Sequence, residues 1–288
     1  MKDLTRYVIV NADDFGHSEG INRGVIDAHE KGIVTSASLM TNAPAAEAAV
    51  RLARQYAALS LGIHVNFTRE GERLVDLEDL QAVRRELEAQ FNRFLDLTGC
   101  LPTHIDSHQH VHREFNIGRF FIELSQRYGR PLRGYCEVVY VSGFYGQWEY
   151  GKTEEKYISV EFLISLLKER KSEFSEIACH PGYVVDGFEP PYNREREIEL
   201  KSLTDPRVKA AMEEEGIKLI NYDDYLNLVR VNRAKFMLQN YSMTLKEIAA
   251  SCCYSDPAYF CRVFKKTCKV TPTEYRTRST TQVSAGSN

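Results

Sequence analysis

Tyr7-Val8-Ile9-Val10-Asn11 reads as a short apolar strand, and Ala12-Asp13-Asp14-Phe15-Gly16 follows at its end with two carboxylates and a glycine. Further strand candidates follow at Thr35–Met40, Leu61–Phe67, Thr103–Ser107, Leu132–Val141, Glu176–His180 and Lys218–Ile220. Helical patterns lie between them at Glu19–Lys31, Pro44–Tyr56, Leu77–Leu97, Phe115–Tyr128, Val160–Lys171 and Pro206–Glu215. Strands alternating with amphipathic helices are the signature of parallel βα units. The expected fold class is α/β, a TIM-like and incomplete (β/α) barrel of about seven strands, with a doubly wound open sheet as the alternative.

The 288 residues suit one large α/β unit plus a small appendage. An apolar share of 43% and a charged share of 27% exclude disorder and collagen-like repeats. No run of roughly 18 apolar residues is present, so no membrane helix is expected. The first residues lack the core of a signal peptide, and the seven scattered cysteines read as reduced thiols, so a cytoplasmic location is expected. Charge is uneven. From Val229 onward ten Lys/Arg face three acids, which makes the tail +7 and leaves −10 on the body, given a net −3. The expected division is a barrel over residues 1–228, a basic helical module over 229–278 and a disordered tail over 279–288. A basic module on an acidic body suggests a polyanion as partner for the tail.

In a parallel barrel the groups that do chemistry sit at the carboxyl ends of strands. There the sequence places Asp13-Asp14, Gly62-Ile63-His64, Cys179-His180-Pro181-Gly182 and a run of alternating polar residues, His104, Asp106, His108, His110 and His112. If that last strand continued, all five side chains would share one face, and five such groups cannot form an apolar core. Those nearest the strand end, His108 or His110, best reach the mouth; the earlier ones would orient neighbours. Asp14, His64 and His108 supply one carboxylate and two imidazoles, enough for one ion with positions left open. By softness the set suits Zn, Mn, Fe or Ni better than Mg. The adjacent Asp13 and Asp14 read as one ligand plus one general base. Ser18 is the expected cap of the first helix. His180, confined to extended backbone by Pro181, fits a general acid. The dinucleotide-binding Gly-x-Gly-x-x-Gly fingerprint is absent from the sequence.

These motifs, with Gly32-Ile33-Val34-Thr35-Ser36 and Arg196-Glu197-Ile198-Glu199-Leu200, closely resemble the YdjC-like carbohydrate deacetylase family over about residues 5 to 226. The resemblance implies a (β/α)-barrel hydrolase that removes acetyl groups from N-acetylated sugars such as chitooligosaccharides. It implies Asp14, His64 and His108 as metal ligands, Asp13 as base, and magnesium as the usual ion, so Mg and Zn both stay open. His104, Asp106 and His110 are then expected behind the ligands. The stretch Tyr140–Tyr150 is rich in aromatics, and Tyr145 and Trp148 are candidates to contact the sugar; packing on the barrel or a homodimer contact are the alternatives.

The tail resembles the second helix-turn-helix of AraC-type regulators. By that resemblance Ala258, Tyr259 and Arg262 face the DNA major groove, with Lys265 and Lys266 near phosphates. Cys253 and Lys269 stand where that family has glycines, and a lone module of this kind binds DNA weakly. The main expectation is therefore a metal-dependent deacetylase. The alternatives are a sugar-sensing DNA-binding regulator with a non-catalytic barrel and, with fewer ligands in its favour, a metal phosphoesterase.

Overall fold

The computed structural model describes residues 5–69, 72–149, 151–169, 172–184 and 192–285. Two compact units are present, Met1–Tyr222 and Asp223–Asn288, so the division falls a few residues ahead of the charge boundary.

The first unit is built on β1 (Arg6–Phe15), whose residues from Val8 to Phe15 are all buried. The chain continues through α1 (Glu19–Glu30), β2 (Ser36–Leu39), α2 (Ala46–Ala53) and β3 (Ser60–Val65). A two-residue hairpin, β4 (Thr68–Arg69) with β5 (Glu72–Arg73), precedes α3 (Leu80–Thr98) and β6 (Ile105–Ser107). Then come α4 (Gly118–Tyr128), β7 (Val139–Val141), α5 (Val160–Glu169) and β8 (Phe174–Cys179). The unit ends with α6 (Arg194–Thr204), α7 (Pro206–Glu214) and β9 (Ile217–Leu219).

Seven strands form one sheet in the order β6-β3-β2-β1-β8-β7, with β9 also on β1. Every pairing in that sheet is parallel. The seven strands expected from the sequence are the seven of this sheet, and the incomplete barrel is the architecture observed. Local chemistry explains the helix starts. Ser18 accepts from the Ile21 N–H at 3.2 Å, Asp79 caps α3, and Asp205 followed by Pro206 opens α7.

Three differences matter for the site. The expected strand Leu132–Val141 is interrupted: its start bonds to β6 (Ile105 N–H to Pro131 O, 2.9 Å; Arg133 N–H to Ile105 O, 3.0 Å), and only Val139–Val141 pairs with β8. Gly134, at φ +75°, turns the chain between the two. This segment spans the gap between the two edges of the sheet and brings Arg133 to the interior. Second, α6 was not expected, because the residues it buries include Glu195, Arg196, Glu199 and Ser202. Third, the alternating histidine strand stops at Ser107, and His108–Arg113 form a 3₁₀ turn with Gln109 and His110 at φ +53° and +55°.

The second unit comprises most of α8 (Tyr222–Asn240), then α9 (Leu245–Ser251), α10 (Pro257–Cys268) and α11 (Pro272–Ala285). Its core is Val231, Ala234, Leu238, Ile248, Ala249, Cys252, Tyr254, Phe260 and Phe264. α9 opens with a reciprocal box between Thr244 and Glu247, and Asp256 caps α10. α11 runs into the stretch expected to be an irregular tail, of which residues 286–288 lie outside the described residues.

Cys253 and Lys269 both adopt left-handed backbone, φ +60° and +61°, at the two positions where glycine was expected by resemblance. A side chain there costs about 1–2 kcal/mol. Cys253→Gly and Lys269→Gly should therefore each stabilise this unit by up to about 1 kcal/mol, since glycine also loosens the unfolded chain. Hydrogen exchange of α9 and α10 in the full chain is the measurement, and faster exchange in both variants would refute it.

Candidate active site and metal centre

β1 delivers both aspartates from one bulge. Its register against β2 shifts between Ala12 and Phe15, and Asp14 has φ +63°. This irregularity lets two adjacent buried carboxylates reach different partners. Asp14 Oδ1 lies 3.4 Å from His64 Nε2 and 3.2 Å from His108 Nδ1. Asp14 Oδ2 accepts from Arg196 Nη2 at 2.6 Å, which leaves Oδ1 facing the two imidazoles. Ligand atoms of Asp14, His64 and His108 all lie within 4.8 Å of one another.

Behind His64 the arrangement is that of an oriented metal ligand. Its Nδ1 is 2.6 Å from Asp106 Oδ1, so Nε2 is the nitrogen turned toward Asp14. The donor set, one carboxylate and two imidazoles with the far nitrogen of one of them held by a second carboxylate, fits a single divalent ion. A second group, Asp13, His64 and Asp106, also has its atoms within 4.8 Å. There the Arg133 guanidinium already holds Asp13 and Asp106, and a further cation would meet its positive charge.

Arg133, fully buried, is the hub that the sequence reading missed. Its Nη1 and Nη2 donate to Asp13 Oδ2 and Oδ1, each at 2.7 Å. Nε and Nη2 donate to Glu176 Oε1 at 2.9 and 2.7 Å, and Nη2 is 2.8 Å from Asp106 Oδ2. Glu176 Oε2 also accepts from Tyr222 at 2.7 Å. Burial works to raise Asp13, but the charges of Arg133 and His64 outweigh it and hold the carboxyl below its ordinary value. Asp14 is depressed further: burial opposes, while Arg196 and the hydrogen bonds from His108 and His64 prevail. Both aspartates are therefore ionised at neutral pH.

His180, after β8, lies across from Asp13, its Nε2 4.0 Å from Asp13 Oδ2. Its other nitrogen is 3.7 Å from Glu199 Oε1 on α6, and its backbone N–H donates to the same carboxylate. Tyr192 also donates to Glu199. Burial would lower His180, but Glu199 and the two aspartates raise it, so it holds a proton more readily than a free histidine.

The remaining expected residues divide. Asp106 stands directly behind His64. His104 lies deeper, its ring between Ser38 Oγ (2.9 Å) and Thr103 Oγ1 (2.9 Å) and stacked on Tyr222 at 3.9 Å. A Cβ at Gly62 would fall 2.3 Å from that ring, which explains the glycine two residues before His64. His110 has positive φ, and its Nε2 meets Tyr140 at 3.1 Å. His112 bonds Ser107 Oγ at 2.7 Å in the core. Tyr145 meets His180 edge-on at 5.6 Å, and Trp148 lies next to Tyr145 at 6.2 Å, 55% exposed. Tyr150 lies outside the described residues. In the second unit Ala258, Tyr259, Arg262, Lys265 and Lys266 share the exposed face of α10, opposite buried Phe260 and Phe264.

Two predictions follow from the buried charges. Arg133→Met leaves three carboxylates without their cation and should cost roughly 3–5 kcal/mol in chemical denaturation; wild-type stability would show the hub to be dispensable. Burial pushes His104 down to about 4 and His112 down to about 3. The unfolded chain, with histidines near the ordinary value of about 6.5, takes up protons that the folded chain refuses. Stability should thus fall as pH drops from about 6.5 toward 4, with a shallower melting-temperature slope in His112→Gln.

Residues 7–214 match the YdjC-like protein family, and residues 219–278 match a helix-turn-helix domain. A carbohydrate deacetylase of Geobacillus stearothermophilus is 38% identical, the match covering 78% of this chain and all of that protein. A chitooligosaccharide deacetylase of Serratia marcescens is 34% identical over 77% of this chain and its own full length. Among solved structures, an Enterococcus faecalis protein described as a cellobiose-phosphate cleavage protein superposes with a TM-score of 0.67 at 28% identity, over 76% of this chain and 98% of that one. With its family match, its relatives and this architecture, the chain belongs to the YdjC-like family and carries a helix-turn-helix domain of the AraC type in its C-terminal residues.

Proposed function

We propose that the protein is a metal-dependent hydrolase that removes acetyl groups from N-acetylated carbohydrates of the chitooligosaccharide type. The observation that carries this reading is the convergence of Asp14, His64 and His108 beside Asp13, with His180 Nε2 4.0 Å from Asp13 Oδ2. The names of the relatives supply the substrate class.

Asp14, His64 and His108 would hold the ion. When bound, a divalent cation supplies Lewis acidity at the amide carbonyl and makes water a better acid at neutral pH. Asp13 accepts the proton of the attacking water. Its bidentate contact with Arg133 fixes the carboxylate plane, so the group meets water in one orientation. His180 donates to the departing amine from the opposite side, held by Glu199. Since the two groups act in sequence, one must begin charged and the other protonated, and the neighbours of each bias it that way. Two imidazoles favour zinc on chemical grounds, and magnesium remains the ion implied by the first resemblance.

A second reading, a sugar-sensing DNA-binding regulator whose barrel does not turn over its ligand, is favoured by one observation: the helix-turn-helix match with an exposed basic face on α10. Salt-sensitive, sequence-selective DNA retention without amine release would favour it.

Amine release from N-acetylated chitooligosaccharides, with magnesium, zinc or chelator, is the deciding assay. His64→Ala and His108→Ala should lose the bound ion on dialysis, read by elemental analysis. Asp13→Asn should keep the ion and lose about 10²–10⁴-fold in turnover; a wild-type rate in that variant would remove Asp13 from its role.

A further inference from the structure

The loop after β7 carries the chain's single tryptophan, and Trp148 presents more than half of its surface to solvent. The loop beneath it is closely tied down. The Gly146 N–H donates to Tyr192 Oη at 2.9 Å, and the Gly146 carbonyl accepts from the Glu154 N–H at 2.7 Å. Gln147 Nε2 donates to Glu195 Oε1 at 2.7 Å, Thr153 donates to the same buried carboxylate, and the Gly151 N–H returns to Gln147 at 3.2 Å. A Cβ on Gly146 would sit 2.9 Å from Ile158 and from Glu195, so the loop lies directly on the barrel wall. Glu195 belongs to the same helix as Glu199 and Arg196, which contact the catalytic candidates.

Two rings brace the indole. Tyr145 meets it edge-on at 6.2 Å and 88°, and Tyr157 at 6.0 Å and 75°. Tyr145 in turn stacks on Tyr192 at 4.8 Å and 5°, and both tyrosines meet His180 edge-on, at 5.6 and 5.4 Å. A continuous aromatic line thus leads from the acid candidate outward to a rigid, exposed indole.

We infer that Trp148 is the platform for a sugar unit next to the one deacetylated, so that the protein selects oligosaccharides over the monosaccharide. This inference rests on the carbohydrate reading of the site. The C–H hydrogens on one face of a pyranose are weakly positive and suit the negative face of an indole. A ring fixed before binding loses little freedom on contact, which turns its area into affinity. Its exposed neighbours Glu149 and Lys152, paired at 3.3 Å, offer polar partners to ring hydroxyls. A protein partner is disfavoured, since one indole flanked by charges falls far short of a stable interface of roughly 1,200 Å² or more.

The test uses the full-length protein supplied with a divalent ion. Amine release is measured on N-acetylglucosamine and on its β-1,4-linked dimer and trimer, for wild type, Trp148→Ala and Trp148→Phe. Trp148→Ala should lower the trimer-to-monomer ratio of kcat/KM by about tenfold, mainly through KM, and Trp148→Phe should recover most of it. With a single tryptophan, its emission reports this subsite directly: in Asp13→Asn, trimer should shift the emission and monomer should not. An unchanged ratio, or emission that follows protein concentration and ignores trimer, overturns the inference. Absence of amine release from every substrate would sink the deacetylase reading instead, and the emission titration would still decide for or against the platform.

Discussion

One buried guanidinium holds the interior of the barrel together. Arg133 has no exposed surface, and three carboxylates from three different strands close on it: Asp13 from β1, Asp106 from β6 and Glu176 from β8. A buried charge is tolerated only when it is paired and hydrogen-bonded, and each acid here would be equally costly alone. The cation therefore dictates where the acids stand. Asp13 is turned toward His180, Asp106 is left one oxygen with which to hold His64, and Glu176 takes Tyr222. Preorganisation of this kind is what a site needs to bind an ion and a water in fixed positions.

The groups proposed to do the chemistry announced themselves in the sequence because each lies at the end of a short apolar run. Asp13, Asp14, His64, His108 and His180 could all be picked from strand ends, and the strand count followed from the same alternation. What supports them could not be read in this way. Arg133 looked like an ordinary charge at the start of a strand, and its burial depends on a turn at Gly134 and on Asp13, Asp106 and Glu176 from three separate strands. Arg196 and Glu199 stood in a motif of the resemblance but without a role, because α6 turns charged residues inward and a search for an apolar stripe passes over it. The alternation that the sequence suggested stops before His110, since Gln109 and His110 are two consecutive residues of positive φ.

Backbone strain collects where function is proposed. Asp14, Gln109 and His110 are three of the five non-glycine residues at positive φ among the described residues, and the other two close turns in the helical unit. Strained backbone persists where surrounding packing over-determines it. For Asp14 the constraint is visible: Arg196 and two imidazoles grip one carboxylate. Helix α6 thus serves both ends of the site, gripping Asp14 through Arg196 and His180 through Glu199.

The pairing of β9 with the first half of β1 has a bearing on biosynthesis. Arg6 meets Ile217 and Val8 meets Leu219, on the flank of β1 that β2 occupies only farther along, from Asn11 to Phe15. A nascent chain on the ribosome must therefore expose part of its first strand until almost the whole barrel has been translated. Such distant contacts slow the search for the native state and leave an open edge that other chains can meet. That flank of β1 is consequently closed only by one short segment near the carboxyl end of the unit.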